Sequence, residues 1–429
     1  MKNKITNLYL ILRNKEVLIS FYFLFFILGL SSNAHYYFYD EYRVLEIGIL
    51  LIFGWWAIYS RQLIVNKVEL LFFAFIGIGS LFWQHPLFII TDLLLVYLLF
   101  KGFQLLNYNE LITKAMVLGS LVLFLMLPVA LFDYINSGTY IANWYPLSWN
   151  IRVYNSYFLV LSIFAVWFYS TTTKHKNIYL LFLFLAFYAV LLDGGRSVTL
   201  AYTLFIAIIA IFNRSARLAL VLTYAASWLV YIVTTYSASA SSSSLSIARE
   251  SSSGRVDLWV NALQCWSQHP IIGCGFYQLE QFPNLSAHPH NILIQVLTET
   301  GLIGFGFLVL IMFKIAKSIS WNLKQNYFVI AALLAVSIDL SLSGIHVYPI
   351  TQMALLWLSV FLLKNPEFTR VRYFNQEPAI ISRSQKLLSI VIYCLIAGWF
   401  IYIITQALNS FDGTPMTPPR FWLYGYLLY

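Results

Sequence analysis

The sequence predicts an all-α, polytopic integral membrane protein of about 12–13 transmembrane helices, with one large outward-facing loop that contains an amphipathic helix. Only 10% of the 429 residues are Asp, Glu, Lys or Arg, whereas soluble domains carry about 25%. Apolar residues make up 60% of the chain and aromatic residues 18%. A soluble globule of this length would lack the charge to cover its surface, and a disordered chain would be far less hydrophobic. Several helical membrane spans are the remaining class.

Thirteen apolar runs in the sequence are long enough to cross about 30 Å of hydrocarbon. If the N-terminus is cytoplasmic, twenty of the 26 Lys and Arg residues fall on the inner side and six on the outer side. This asymmetry satisfies the positive-inside rule and accounts for most of the net charge of +9, so the charge does not predict nucleic-acid binding. The six outer cations are Arg43, Arg152, Arg196, Arg249, Arg255 and Arg420.

The chain is predicted to have four consecutive parts. They are about nine spans in residues 1–236, the outward-facing loop in 237–290, further spans in 291–405 and an outward-facing tail in 406–429. The loop begins with a tract from Ser237 to Ser253 that holds ten serines and therefore cannot bury a core. We expect this tract to be mobile.

The middle of the loop is predicted to form an amphipathic helix from Gly254 to Trp266. Apolar residues recur there at helical spacing and form an aromatic-rich face that suits the membrane interface. These residues are Val256, Trp259, Val260, Leu263 and Trp266. Cys265 and Cys274 could pair if the loop is extracytoplasmic, but their spacing does not decide whether they do.

Three outer arginines, Arg152, Arg196 and Arg255, lie at the ends of predicted helices and are candidate ligands for a diphosphate. Arg196 belongs to a short turn, Asp193-Gly194-Gly195-Arg196-Ser197, between two apolar spans. A cation at membrane depth is costly and usually has a partner. Guanidinium groups bind phosphate oxygens in pairs, so several that converge at the outer leaflet would suit a diphosphate headgroup. The alternative is that these side chains snorkel to the interface or that Arg196 pairs with Asp193.

His290 is the candidate general base, with His288 and Asn291 as candidate supporting residues. The segment Ala287-His288-Pro289-His290-Asn291 ends directly before an apolar span, and the dipole of that helix disfavours the imidazolium form of His290. A neutral imidazole can accept a proton from an attacking hydroxyl. A capping or interfacial histidine is the alternative. We predict no metal site, because no further Cys, Asp or His lies at a suitable spacing.

Glu299 lies inside the same predicted helix, where a carboxylate must be paired, protonated or beside a hydrated cavity. We therefore interpret Glu299 as support for the site rather than as the base. Asp339 and His346, in a neighbouring hairpin, are weaker candidates of the same kind.

Four short motifs on the outward side together resemble the O-antigen ligase superfamily, whose relatives include O-antigen polymerases and bacterial O-oligosaccharyltransferases that modify pilins and other proteins. The motifs are Gly254-Arg255, His269-Pro270-Ile271-Ile272-Gly273-Cys274-Gly275, His288-Pro289-His290-Asn291 and Thr298-Glu299-Thr300-Gly301-Leu302-Ile303-Gly304. The Gly195-Arg196 turn matches the family's second essential arginine, and the segment Asn150-Ile151-Arg152-Val153-Tyr154-Asn155 resembles a further arginine motif of some members. The resemblance covers roughly residues 190–305, and the rest matches only as a polytopic envelope.

The resemblance implies an inverting glycosyltransferase that uses no metal, nucleotide or other cofactor. His290 would be the base, and Arg196 and Arg255, with Arg152, would hold the diphosphate of an undecaprenyl-diphosphate-linked glycan. It also implies a bacterial inner membrane, a cytoplasmic N-terminus and a periplasmic active site, which makes the long loop periplasmic. The acceptor is predicted to be the lipid A core of lipopolysaccharide.

Three alternatives stay open at this stage. A Ser or Thr of a pilin-like protein is a second candidate acceptor. The additional predicted span and the outward-facing tail support this alternative. The end of another glycan would make the chain an O-antigen polymerase. A lipid-linked sugar transporter without chemistry is the non-enzymatic alternative, but it predicts charges spread through the membrane and repeat symmetry, whereas the unusual charges here gather on one face.

Overall fold

The computed structural model describes the chain in twelve stretches, and most of the residues in these stretches are helical. The described residues are 15–28, 38–59, 67–83, 86–106, 108–142, 144–145, 151–238, 254–276, 278–281, 288–365, 367–368 and 382–409. They contain no strand, which confirms the predicted all-α class. The predicted serine tract lies outside the described residues except for Ser237 and Ala238, and the tail lies outside them beyond Asn409.

The described stretches contain fifteen α-helices. They are α1 (Lys15–Leu28), α2 (Phe38–Tyr59), α3 (Lys67–Gly79), α4 (Pro86–Leu106), α5 (Glu110–Gly119), α6 (Leu127–Ser137), α7 (Ile151–Thr171), α8 (Asn177–Leu192), α9 (Arg196–Phe212), α10 (Arg214–Ala238), α11 (Arg255–Gln268), α12 (Ile292–Ser318), α13 (Leu323–Leu342), α14 (Pro349–Lys364) and α15 (Arg383–Asn409). Two 3₁₀ segments, Ser120–Met126 and Gln278–Gln281, complete the series.

Seven helical segments of the described chain are long and apolar enough to cross a membrane. They are Ile89–Leu106, Glu110–Ser137, Val153–Thr171, Arg214–Ala238, Ile292–Ser318, Leu323–Leu342 and Lys386–Thr405. Three shorter apolar helices, α8, α9 and α14, accompany them. The chain is therefore a polytopic membrane protein, and the larger predicted number of spans stays a prediction.

The chain divides into two compact units, each built from segments that are distant in the sequence. Unit 1 comprises Met1–Phe38, Asn109–Glu250 and Trp321–Asp339. Unit 2 comprises Tyr39–Tyr108, Ser251–Ser320 and Leu340–Tyr429. Arg152 and Arg196 belong to unit 1, whereas Arg255, His288, His290 and Glu299 belong to unit 2.

The central helix of unit 1 is α7, which packs against α5, α8 and α9. In the apolar part of α7, Val153–Thr171, 89% of the segment is buried inside the protein. A surface helix of a membrane protein would expose one apolar side to lipid, so α7 is enclosed by other helices. This enclosure fixes the position of its N-terminal residues, among them Tyr154 and Asn155, relative to the turn between α8 and α9.

Unit 2 contains a fully buried ion pair on α2. The Arg43 guanidinium lies 2.5 Å from the Glu46 carboxylate and donates to the Gln352 side chain at 2.9 Å and to the Val347 carbonyl at 3.0 Å. Arg43, one of the six predicted outer-side cations, lies inside α2 and is 0% exposed. A buried charge requires partners of this kind. Arg43 therefore connects α2 to the segment around Val347 and Gln352 within unit 2.

The predicted amphipathic helix is present as α11, and a second face of it packs against the protein. Leu258 and Ala262 are buried, and Trp259 and Ile294 pack against them. Val256, Val260 and Leu263, which were expected to share one face with Trp259, are exposed. The helix thus carries two apolar strips, one against α12 and the other facing outward, where a membrane interface would cover it.

Candidate active site

The segment from His288 to Asn291, here called the histidine segment, is held closely by unit 2. The His288 ring is fully buried and lies 4.3 Å from the His290 ring and 5.8 Å from the Tyr348 ring, measured between centroids. A side chain at Gly344 would collide with the His288 imidazole. The Trp259 indole on α11 donates a hydrogen bond to the Pro289 carbonyl at 2.8 Å. The His288 ring is therefore held by packing and supports the histidine segment, whereas the His290 side chain is only partly buried.

The backbone of His290 adopts the left-handed conformation, with φ of 53°. This conformation is uncommon for residues other than glycine and costs energy unless the surroundings impose it. The next residue, Asn291, is the N-cap of α12, and its side-chain oxygen accepts from the backbone N–H groups of Leu293 at 2.9 Å and Ile294 at 3.1 Å. The cap sets where α12 begins, so it presents the His290 ring just ahead of the helix N-terminus.

A small cavity opens beside the histidine segment within unit 2. The residues that line it include Gln278, Gln295, Thr298 and Glu299, together with Pro289. The Glu299 side chain is buried, at 8% exposure. Glu299 is thus a buried carboxylate beside a cavity, and its role as support for the site stays a proposal.

The helix that carries Glu299 is broken at Gly301, whose φ is 63° and ψ −162°. The hairpin from Pro270 to Gly275 enters this break and replaces the lost helical hydrogen bonds. Its Cys274 and Gly275 N–H groups donate to the carbonyls of residues 298 and 299, at 2.8 and 3.1 Å. In return, the N–H groups of residues 302 and 303 donate to the carbonyls of residues 270 and 271, at 2.9 and 3.2 Å.

Two glycines make this close approach possible. A Cβ at Gly273 would lie 2.5 Å from the Glu299 carbonyl carbon, and one at Gly301 would collide with the Ile271 carbonyl. Both glycines also have positive φ, at 77° and 63°. Only glycine tolerates both the close approach and the positive φ. Gly273 and Gly301 therefore allow the hairpin to hold the backbone of α12 next to Glu299.

A disulfide joins α11 to the same hairpin. Cys265 and Cys274, whose pairing the spacing left open, are bonded to each other. Because Cys274 also donates to the broken helix, the disulfide connects α11 to α12 through the hairpin. Arg255 is the first residue of α11 and is partly buried, after Gly254 with φ of 72°.

The segment from Gly344 to Gln352 supports the start of α12 from another side. His346 Nε2 lies 2.8 Å from the Gln295 side-chain oxygen, one turn after the N-cap. The Gln352 amide donates to the His346 carbonyl at 2.9 Å, and Arg43 holds Gln352 and the Val347 carbonyl. His346 is thus connected to α12 by contact, which its position in a neighbouring hairpin only hinted at. Asp339, the other weak candidate, is buried at the C-terminal part of α13 in unit 1.

In unit 1, Arg196 is the first residue of α9 and follows a turn held by a buried carboxylate. Asp193 accepts from the Tyr140 hydroxyl at 2.9 Å and from the Tyr145 hydroxyl at 2.7 Å. The Trp144 indole donates to the Tyr140 hydroxyl at 3.0 Å. Both oxygens of the Asp193 carboxylate therefore bond to tyrosines, and the carboxylate anchors the turn rather than reaching along it to the arginine.

Burial raises the pKa of Asp193 to about 7, although the two tyrosine hydroxyls act in the opposite sense. Asp193 lies in the turn, outside both helices. Desolvation and the neighbouring carboxylate likewise raise the pKa of Tyr140 and Tyr145 well above the ordinary tyrosine value, so both remain hydroxyl donors. Neither tyrosine was identified from the sequence, because their loop carries no motif.

Arg152 lies in the first turn of α7, and its side chain is outside the described residues. The side chains of two neighbours of Arg152 on this helix, Tyr154 and Asn155, make contacts near the Arg196 turn. The Tyr154 ring stacks on the Tyr145 ring, with centroids 4.6 Å apart and planes within 9°. Asn155 is buried and lies against Gly195 in the Arg196 turn. The structure therefore joins the motif around Arg152 to the turn that carries Arg196.

The sequence of residues 181–309 matches the protein-family model of O-antigen ligase. The matched segment contains Arg196, Arg255, the histidine segment and Glu299, and it supports the O-antigen ligase-like superfamily that the motifs resemble. A search of curated proteins gives no match to the chain.

Proposed function

We propose that this O-antigen ligase-like membrane protein transfers a glycan en bloc from undecaprenyl diphosphate to an acceptor hydroxyl, at the periplasmic face of the bacterial inner membrane. The match to O-antigen ligase supports glycosyl transfer of this general type. The observation that carries the proposal is the placement of His290. Its backbone is left-handed between the buried His288 and the Asn291 cap, and the adjacent Pro289 lines a small cavity together with Gln295, Thr298 and Glu299.

In the proposed reaction, His290 accepts the proton of the acceptor hydroxyl while that oxygen attacks the anomeric carbon of the glycan. The new bond to the acceptor oxygen forms as the bond to the diphosphate oxygen breaks, with inversion at the anomeric carbon. The leaving undecaprenyl diphosphate gains negative charge, which Arg196 and Arg255, with Arg152, neutralise. His288 and Asn291 hold His290, and Glu299 sets the polarity of the cavity. No cofactor takes part.

The acceptor we propose is the lipid A core of lipopolysaccharide, which the O-antigen ligase family implies in general terms. Transfer to Ser or Thr of a pilin-like protein is the alternative, and it uses the same donor and the same groups. Lipopolysaccharide gels and pilin masses from a deletion strain separate the two. Loss of O-antigen from lipopolysaccharide supports the ligase, a pilin that becomes lighter supports the protein glycosyltransferase, and shortened polymer chains support a polymerase.

The base assignment predicts that His290→Ala lowers transfer by about 10²–10⁴-fold, because general base catalysis contributes about that much. The variant should still reach the membrane in normal amount. Transfer is measured in intact cells by glycan gels, and with purified protein by consumption of donor in the presence of acceptor.

His175→Ala is the matched control, since His175 is the other described histidine with positive φ, at 54°, and lies in the loop before α8. It should transfer glycan at the wild-type rate. Wild-type transfer by His290→Ala would refute the base assignment, and a donor that is never consumed by the purified wild-type protein would favour a transporter.

A further inference from the structure

Asn155 is a buried amide that the proposed mechanism does not use. It lies on α7, one turn after its start, and is 1% exposed. Neither its oxygen nor its nitrogen has a hydrogen-bond partner in the described part of the chain. Buried side-chain amides are almost always hydrogen-bonded, and leaving one unpaired is costly, so such a group calls for a ligand or another explanation.

The amide of Asn155 is directed at the turn that carries Arg196. Its nitrogen would be the nearest atom to a Cβ placed on Gly195, at 2.7 Å. Gly195 is the N-cap of α9 and provides no side-chain cap, so the N-terminus of this 17-residue helix begins beside the Asn155 amide. The N-terminus of a helix attracts anions, and Arg196 adds a full positive charge at the same point.

The relative position of Asn155 and the turn is fixed by a cluster of aromatic residues. Asp193, two residues before Gly195, is held by Tyr140 and Tyr145, and Tyr145 stacks on Tyr154, the neighbour of Asn155. The turn itself consists of Gly194, with φ of 66°, and Gly195. The amide lies against Gly195. The two glycines are the part of the turn best able to shift and admit a ligand.

We propose that Asn155 is a further donor-binding residue, whose amide N–H donates to a non-bridging oxygen of the phosphate that Arg196 binds. The proposal rests on the proposed function and deepens it, because it assigns the α9 N-terminus, Arg196 and Asn155 to one phosphate of a polyprenyl diphosphate. The Tyr140, Tyr145 and Asp193 cluster then positions this phosphate subsite without touching the ligand.

The test measures binding of undecaprenyl diphosphate to the purified full-length chain in detergent, with inorganic pyrophosphate as a second probe. Asn155→Leu replaces the amide by an apolar group of similar volume. Removing an unpaired buried amide should leave the thermal midpoint equal or higher. Binding of undecaprenyl diphosphate should nevertheless weaken about tenfold or more, because hydrogen bonds to charged groups are strong. A purely structural role for Asn155 would not produce both results together.

Two further variants keep the test independent of any one substitution. Asn155→Asp should weaken binding more than Asn155→Ala, because a carboxylate repels the phosphate. Ser162→Ala is the control, since Ser162 is equally buried on the same helix two turns further along, and it should bind as the wild type does.

Gly195→Ala provides a separate check, because the new methyl group would displace the Asn155 amide from the turn. This variant should lose donor affinity by a similar factor, and the double variant with Asn155→Ala should lose little more. Independent, additive losses would contradict a shared role at one phosphate.

Wild-type affinity for undecaprenyl diphosphate in Asn155→Leu and Asn155→Ala would overturn the inference and leave the proposed function intact. No binding of this lipid by the wild-type protein would overturn both. Pyrophosphate binding that depends on Asn155 supports a subsite that recognises the phosphate itself, and binding of the lipid alone supports one that also needs the polyprenyl chain.

Discussion

Asp193 illustrates how a single buried carboxylate can hold a functional turn. Its two oxygens are bonded to Tyr140 and Tyr145, and its burial raises its pKa to about 7. Burial therefore makes the protonated, neutral form of Asp193 far more accessible near neutral pH than it is for an exposed aspartate. Protonation would suit a turn whose proposed task is to bring Arg196 to an anion, because an ionised carboxylate repels a diphosphate.

This raised pKa predicts a stability that depends on pH. A carboxyl group whose pKa is higher in the folded than in the unfolded state contributes stability that is fully present below the unfolded value and lost as the pH rises through the folded value. The thermal midpoint should therefore fall as the pH rises from about 4 to about 7. Asp193→Asn, which stays neutral at every pH, should remove this part of the fall.

The measurement is thermal unfolding of both proteins in detergent across this pH range, and the quantity of interest is the difference between them. Asp257→Asn changes an exposed aspartate on α11 and should keep the wild-type profile. Parallel profiles for the wild type and Asp193→Asn would contradict the assigned pKa.

At this same scale, the sequence indicates candidate site residues but not their contacts. His290 was singled out because it precedes an apolar span, but nothing in the sequence indicated its left-handed backbone. Asn291 was expected to orient His290, and its oxygen instead caps α12, so any effect on the ring passes through the backbone. Asn155 could not be recognised, because its neighbour Gly195 is distant in the sequence and only packing brings them together.

The break in α12 is the main lesson at the scale of the helices. The apolar run after Asn291 predicts a continuous span, since a glycine within an apolar stretch is compatible with a helix. The structure interrupts the helix at Gly301, where backbone groups of the Pro270–Gly275 hairpin replace the lost hydrogen bonds. Such a replacement depends on a segment that precedes the helix by a long loop, and no local pattern encodes it.

This arrangement predicts that Gly301→Ala destabilises the protein by about 3 kcal/mol and abolishes transfer, because the methyl group collides with the hairpin at a backbone conformation that alanine resists. Thermal unfolding in detergent and glycan transfer in cells measure the two effects.

Gly306→Ala is a control on the same helix, where a Cβ would meet no atom within 4 Å. It should be neutral or stabilising by up to about 1 kcal/mol, because alanine is the better helix former. Equal behaviour of the two variants would show that the hairpin does not depend on Gly301.

The amphipathic helix α11 shows which structural features the hydrophobic periodicity predicts. Its existence and position were predicted correctly, as α11 runs from Arg255 to Gln268. Val256 and Val260, on the face expected at the membrane interface, are exposed, and the position of that face in a membrane stays a prediction. The second strip, in which Leu258 and Ala262 pack inward, was not predicted from the periodicity. The small Ala262 permits close approach to α12. The exposed strip is the part that a membrane interface would cover.

For the whole molecule, amino-acid composition predicts the fold class but not the arrangement of the helices. Scarce charge and long apolar runs predicted an all-α polytopic membrane protein, which the structure and its seven candidate spans confirm. The two compact units could not be derived, because each assembles helices from separate parts of the chain. The uneven charge of the loops predicts an orientation in which α11 and its disulfide lie on the side away from the cytoplasm.

That orientation leads to a prediction about the three cysteines. Cys265 and Cys274 are bonded to each other, and Cys394 lies inside the candidate span Lys386–Thr405. In intact spheroplasts, a charged maleimide that cannot cross the membrane should therefore leave the wild-type protein unlabelled. After treatment with a charged reductant, two labels should appear, and peptide mass spectrometry should map them to Cys265 and Cys274.

The double variant Cys265→Ser/Cys274→Ser should acquire no label under either condition, because the apolar surroundings of Cys394 exclude a charged reagent. Labels that appear only after the membrane is permeabilised would place α11 in the cytoplasm. The histidine segment follows α11 without an intervening span and is joined to it by the Trp259 hydrogen bond, so it would then lie on the cytoplasmic side as well. A base on that side could not meet a periplasmic acceptor, and this single measurement thus bears on the orientation and the proposed reaction together.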